Sequence, residues 1–270
     1  MVKTPQIFFN SSLFRSGGTL LQNIMAQNPN FYCTPTSGLI DLLGGVLNSY
    51  ETSEKNFSLG RENYKKATYN FINQGFKGYT SSFSSNQYFL DKNISWNFYY
   101  PLLKDVFGEV KMICLVRDLR SIFSSIEKNI RQNPSYIIKD IPVQSTKNRL
   151  FHFIENHSLS KDIYYIEQRI IEKNFNNILF IKFEDFCLNP QYFMSQIYSF
   201  LNIPEYIHNL NHIPQLVKEN DEIHYPIGTH IIKNTIQLPK NNYKEVLGKE
   251  LSDWIYKKYE WYFKTFNYQK

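Results

Sequence analysis

A three-layer α/β fold, a central parallel sheet flanked by helices on both faces, follows from three observations in this sequence. Short continuous apolar runs recur along the chain. They are separated by segments of helical period, and a glycine-bearing loop joins the first run to the first helix. Continuous apolar strands belong to sheets buried on both sides, whereas half-exposed strands alternate. In such sheets, ligands bind beyond the carboxyl ends of the strands.

The elements follow in order. Gln6-Ile-Phe-Phe reads as a buried strand, and the ten residues after it as a loop. A helix then starts near Gly18 with Leu20, Leu21, Ile24 and Met25 on one face. It stops at Asn28-Pro29, because the residue before proline is pushed out of helical geometry. Arg61 to Asn73 and Ser95 to Phe107 carry helical patterns. Lys111-Met-Ile-Cys-Leu-Val116 is a second strand, followed by a helix from about Ser121 to Arg131. Residues 132–160 are polar, with Pro134 and Pro142, and read as an excursion. Ser160 suits the N-cap of a helix running to Asn174. Asn177 to Phe183 is a third strand, and Pro190 opens a helix with Phe193, Ile197, Phe200 and Leu201 on its apolar side. Residues 208–242 look irregular, and Tyr243 to Phe266 reads as one final helix.

The 270 residues fit a single domain, with acceptor-side insertions at about 34–90 and 130–160. Hydrophobic residues make up 42% and aromatics 17%, enough to build a core without disulfides. The net charge of +6 is scattered along the chain, whereas a nucleic-acid binder concentrates its basic residues in a stripe. Cys33, Cys114 and Cys187 have no metal-ligand spacing and leave an odd count, so neither a metal site nor a disulfide framework is expected. A reducing compartment, the cytoplasm, is the simplest reading. Nothing reads as a membrane span. The aromatic C-terminal helix could serve a homodimer interface as easily as the core.

The loop Asn10 to Thr19 carries the first chemical signal. A strand, a Gly17-Gly18-Thr19 turn and a helix N-terminus together present backbone N–H groups to an anion, with Arg15, Ser16 and Thr19 as further donors. It is P-loop-like without being a Walker A loop, because Gly18 stands where that motif needs lysine. The competing reading is an ordinary strand-to-helix turn. Two further features fall at the same sheet edge. Arg117 follows the second strand, with Ser125 eight positions on, and Phe183-Glu-Asp185 closes the third. Each alone can be a surface pair or a core ring. Three polar features at three strand ends are harder to dismiss.

These segments resemble the sulfotransferase superfamily, closest to its protein-tyrosine sulfotransferase-like branch. Phe14-Arg-Ser-Gly-Gly-Thr-Leu20 is similar to the family's 5′-phosphosulfate loop. Leu115-Val-Arg-Asp-Leu-Arg-Ser-Ile-Phe-Ser-Ser125 is similar to its 3′-phosphate motif. Lys182-Phe-Glu-Asp185 with Asn189-Pro190, and Phe-Leu-Asp91-Lys92-Asn, resemble two further family segments. The resemblance implies 3′-phosphoadenosine 5′-phosphosulfate as donor, with no metal, and a small-molecule or peptide acceptor. It implies that Ser16, Gly17, Gly18, Thr19 and Leu20 hold the 5′-phosphate. Arg117 and Ser125 would hold the 3′-phosphate, and Phe183 would lie beside adenine. Arg15 and Lys92 would stabilise the leaving group, and Lys233, with His230, would belong to a final loop over the 3′-phosphate.

The chain departs from the family pattern at Phe14, Gly18 and Ile94, and most of all at the base. Cys33-Thr-Pro-Thr-Ser37 stands where one branch carries glutamate. All six histidines follow residue 150, beyond the place where another branch carries its base. Asp41, Asp91 and His157 remain as candidates. Three readings stay open: an active sulfotransferase, a catalytically silent adenosine-bisphosphate binder, and a small-molecule kinase of related fold, which the missing Walker lysine disfavours.

Overall fold

The computed structural model describes residues 4–53, 58, 60–132, 145–156, 158–221 and 230–270. Five strands form one sheet: β1 (Gln6–Asn10), β2 (Phe31–Thr36), β3 (Tyr88–Lys92), β4 (Met112–Val116) and β5 (Ile178–Lys182). Their spatial order is β2-β3-β1-β4-β5, and every neighbouring pair is parallel. The chain leaves β1 toward β2 and β3 on one side and later fills β4 and β5 on the other. The topological switch point therefore lies at the carboxyl end of β1, where a ligand crevice opens in folds of this kind.

Successive side chains of each strand feed opposite faces. Phe9, Met112, Cys114 and Val116 enter one core. It also receives α2 (Leu39–Thr52), α3 (Arg61–Phe83), α4 (Trp96–Phe107), α5 (Leu119–Gln132), α6 (Thr146–Asn156) and α7 (Ser158–Ile171). Phe8, Ile113 and Leu115 enter the other core, against α1 (Gly18–Met25), α8 (Phe183–Leu188) and α9 (Pro190–Leu201). At α9 the expected start is present, with Pro190 at the first turn and the Asn189 side chain accepting from the Tyr192 N–H.

Several expectations change. The sequence pattern announces neither β2 nor β3, and the stretch 34–90 contributes β3 and the end of β2 to the sheet itself. The excursion at 132–160 contains a helix, α6. Glu127 anchors it to α5, accepting from Arg131 Nε at 2.7 Å, Arg149 Nε at 2.8 Å and the Thr146 hydroxyl at 3.0 Å. Helix α7 starts at Ser158, so Ser160 is inside it and its hydroxyl donates to the Ile154 carbonyl. The final helix is two, α10 (Tyr243–Lys258) and α11 (Glu260–Thr265). Gly248, at φ 76°, also departs from helical geometry within α10. Among the described residues, no helix is long and apolar enough to cross a membrane.

Candidate active site

The loop between β1 and α1 is braced from beneath by buried amides. Asn10, fully buried at the end of β1, donates to the Gly18 carbonyl (3.3 Å) and to Gln22 Oε1 (3.2 Å). Its Oδ1 accepts from the Ser12 N–H at 3.1 Å. Gln22 in turn donates to the carbonyls of Thr34 and Leu90 at 2.9 and 3.0 Å, locking the loop to β2 and β3. Arg15 (φ 58°) and Gly17 (φ 91°) both take the left-handed conformation, which turns the chain into α1. At Gly17 a Cβ would lie 2.4 Å from the Phe183 ring, so only glycine admits the aromatic wall that close. The first turn of α1 leaves the N–H groups of Gly18, Thr19 and Leu20 without intrahelical partners, and no side chain caps it.

A cavity of about 410 Å³ opens above this turn. It is lined by Arg15, Gly17, Gly18, Thr19 and Leu20 from the loop and start of α1, by Lys92 at the end of β3 and by Asn93 after it. Arg117 after β4, Thr36 at the end of β2 and His230 add polar groups to the wall, and Phe183 after β5 adds an aromatic ring. All five strand ends therefore converge on it. Arg117 Nη1 donates to the Arg15 carbonyl at 2.7 Å, and Arg15 Nε donates to the Ser125 hydroxyl at 3.1 Å. The Arg117 guanidinium lies 5.6 Å from the centre of the Phe183 ring, and its Nε is buried without a hydrogen-bond partner. Burial and then the neighbouring Arg117 charge press the Arg15 pKa down, with Asp221 opposing. Burial also lowers that of Arg117, opposed chiefly by Glu184. Two neighbouring, partly dehydrated guanidiniums favour an anion beside them.

Lys92 reaches into the other end of the cavity. Its ammonium donates to Thr36 Oγ1 at 3.2 Å and to Glu219 Oε1 at 2.6 Å. The same Glu219 oxygen accepts the Thr36 N–H at 2.7 Å and the Thr36 hydroxyl at 2.8 Å. Burial lowers the Lys92 pKa while Glu219 opposes it. Burial pushes the Glu219 carboxyl up, but Lys92, His230 and Thr36 outweigh it and hold the group below the usual carboxylate range.

Some expected residues are engaged elsewhere in the structure or lie away from the cavity wall. Ser16 directs both of its donors to backbone carbonyls, its N–H to Leu13 of the loop at 3.1 Å and its hydroxyl to Leu13 and to Leu115 of β4. Lys233 is exposed and donates to Gln237, while His230, Ile231 and Ile232 form the cavity wall. Asp41 is exposed on α2. Asp91 alternates with Lys92 and so faces the opposite side of β3, where Trp96 Nε1 donates to it at 2.9 Å; burial pushes its carboxyl up to about 7. Neither acid lines the cavity. His157 lies outside the described residues. Three groups to which the sequence pattern assigns no role shape the site. Glu219 pairs with Lys92. The Tyr262 hydroxyl donates to the Arg117 carbonyl at 2.9 Å and accepts the Arg117 N–H at 3.2 Å. Glu184 accepts the Asp118 N–H and the Tyr268 hydroxyl.

Comparison with known proteins follows the same lines. A search of curated proteins finds no match. Among solved structures, the sulfotransferase domain of the curacin biosynthetic pathway superposes with a TM-score of 0.54 at 18% identity, covering 93% of this chain and 99% of that one. The sulfotransferase STF9 from Mycobacterium avium gives 0.53 at 15% identity, over 100% of this chain and 78% of its own. Retinol dehydratase, solved in a complex with retinol and PAP, gives 0.52 at 15% identity, over 94% and 80%. At these identities the likeness is one of fold. The model of the sulfotransferase family matches residues 8–207, the stretch that carries the loop, Lys92, Arg117 and Phe183. By that match, the chain belongs to the sulfotransferase family.

Proposed function

We propose that the protein transfers the sulfuryl group of 3′-phosphoadenosine 5′-phosphosulfate to a hydroxyl or amine acceptor by in-line displacement. The observation that supports this reading is one cavity that brings together the uncapped start of α1, Lys92 and the Arg15–Arg117 pair. The N–H groups at the start of α1, with Arg15 and Lys92, suit a 5′-phosphosulfate. Arg117 and Ser125, both tied to Arg15, suit a 3′-phosphate on the same ribose. Phe183 offers an apolar face for the base. A loose sulfuryl transition state resembles that of phosphoryl transfer, in which positioning and charge stabilisation dominate. Lys92 and Arg15 are the cations placed to meet charge on the departing phosphate oxygen. The loop itself lacks the lysine that a γ-phosphate-transferring enzyme of Walker type carries.

A thermal-shift titration tests the donor. Adenosine 3′,5′-bisphosphate without magnesium is expected to raise the melting temperature, since a ligand at a hundred times its Kd adds about 2.7 kcal/mol. ATP with magnesium is expected to leave it unchanged. The reverse result removes the sulfotransferase reading in favour of a kinase.

A further inference from the structure

Glu219 stands behind Lys92 and outside the cavity. Lys92 forms part of the wall, whereas Glu219 does not line it. The two side chains are 9% and 3% exposed, and the ammonium lies 2.6 Å from Glu219 Oε1. A cation buried this deeply keeps its charge only beside an anion. Burial draws the Lys92 pKa down, and Glu219 opposes it through both its charge and its hydrogen bond. Asp221 adds a smaller attraction to Lys92, and His230 acts on Glu219. Arg15 and Arg117 share the cavity wall.

The pair is built at an irregularity of the sheet. Register between β2 and β3 shifts between Cys33 and Thr36, which brings Thr36 opposite Lys92. Thr36 donates both its N–H and its hydroxyl to Glu219 Oε1, and the hydroxyl oxygen accepts from Lys92. The segment that carries Glu219 is fixed from the other side. Val217 is buried, and its N–H donates to Asn23 Oδ1 of α1 at 2.8 Å. Asn23 Nδ2 in turn donates to the Thr19 carbonyl at 2.8 Å. The helix whose first turn faces the cavity therefore also sets the carboxylate. The Lys92 stem passes that turn, with Cε 3.8 Å from the place a Cβ on Gly18 would take.

We propose that Glu219 is the positioning residue of Lys92, holding its ammonium charged beside the first turn of α1 to meet the 5′-phosphate oxygen that leaves sulfur. This rests on the sulfotransferase reading above. A carboxylate that blocked the site would lie in the cavity and give way to the donor. The place of Glu219 behind Lys92, and the three hydrogen bonds its Oε1 accepts, make it a fixed support.

Adenosine 3′,5′-bisphosphate carries that same oxygen, so its binding reads the effect with no acceptor and no turnover. Calorimetry compares it with adenosine 3′-monophosphate, which lacks the 5′-phosphate. Both are measured at about pH 8, where the phosphate is ionised, in two buffers of different ionisation enthalpy. Glu219→Gln keeps an acceptor for Thr36 and removes the charge. It is expected to weaken bisphosphate binding roughly tenfold or more, the scale of a charge-assisted hydrogen bond, and to leave the monophosphate within about threefold. It is also expected to take up more protons than wild type on binding bisphosphate, as the phosphate recharges the amine. Glu219→Asp keeps the charge on a shorter arm, so a smaller loss with wild-type proton uptake is expected. Tighter bisphosphate binding by Glu219→Gln overturns the proposal, because that marks a blocking carboxylate. Unchanged affinity, equal loss for both nucleotides, or wild-type proton uptake overturns it too. If Glu219→Gln does not fold, Glu219→Asp decides: a loss confined to bisphosphate supports the proposal, and unchanged or tighter binding overturns it. A wild type that binds neither nucleotide instead removes the donor reading.

Discussion

Gly17 is the residue on which the geometry of the donor loop turns. Its φ of 91° lies in the left-handed region, and the Phe183 ring occupies the space a Cβ would need, at 2.4 Å. Alanine there meets two costs together, backbone strain of about 1–2 kcal/mol and displacement of an aromatic ring from the cavity wall. Gly17→Ala is therefore expected to weaken binding of adenosine 3′,5′-bisphosphate roughly tenfold or more, each factor of ten corresponding to about 1.4 kcal/mol. Gly45 supplies the control. It is exposed on α2 with nothing within 4 Å of the place a Cβ would take, so alanine should stabilise the helix by about 0.5–1 kcal/mol and leave binding untouched. Calorimetry on both variants checks the pair, and equal affinities would mean that Phe183 does not wall the ligand. Glu219 marks the opposite case at this scale. It is a single acidic residue in an irregular stretch, 127 positions from its partner Lys92, and no local pattern announces such a pair.

At the scale of elements, the C-terminal helices hold the second anion-binding end in place. Tyr262 of α11 is fully buried, and its hydroxyl spans the N–H and carbonyl of Arg117. Tyr262→Phe keeps the ring packed and strands both backbone groups. It is expected to cost about 1–3 kcal/mol in urea unfolding and to weaken bisphosphate binding as Arg117 loses its brace. Lost stability with unchanged affinity would show that α11 supports the fold alone. This dependence was not legible in the sequence, which presents the C-terminal segment only as an amphipathic helix. The elements that were legible are those with unbroken apolar runs or a clear helical period: β1, β4, β5, α1, α4, α5, α7 and α9 all fall within a few residues of expectation. β2 escaped because Thr34, Pro35 and Thr36 interrupt its run. A proline is tolerated there because β2 is an edge strand. β3 is short and ends in Asp91-Lys92, so it reads as a motif before it reads as a strand. Helix α6 escaped because a salt bridge from Arg149 to Glu127, along with its apolar contacts, fixes it.

The whole molecule carries a pH signature that the buried carboxyls set. Burial pushes Asp91 from its ordinary 3.8 up to about 7, opposed by hydrogen bonds from Ser37 and Trp96. Between those two values the folded chain keeps a proton that the unfolded chain releases. Stability then falls as pH rises, because the folded state binds more protons. This group's contribution is full below about pH 4 and gone above about pH 7. Asp162, also pushed up to about 7 by burial, acts in the same direction. His208 acts against both. Burial lowers it to about 4, so the unfolded chain takes up the proton first and stability rises with pH over that range. The net slope of the wild type mixes these three groups with others, among them Glu127 and Glu219, whose carboxyls are held low by their partners, but a variant can isolate one. Asp91→Asn keeps an acceptor for Trp96 Nε1 and never ionises, while Asp162 and His208 stay common to both proteins. Its stability relative to wild type should therefore climb from pH 4.5 to 7.5. Each tenfold fall in proton activity across that window is worth about 1.4 kcal/mol, so the climb can reach a few kcal/mol. Urea midpoints of the two proteins at pH 4.5, 6 and 7.5 measure it, and a gap that stays constant would mean Asp91 titrates alike in the folded and unfolded chains.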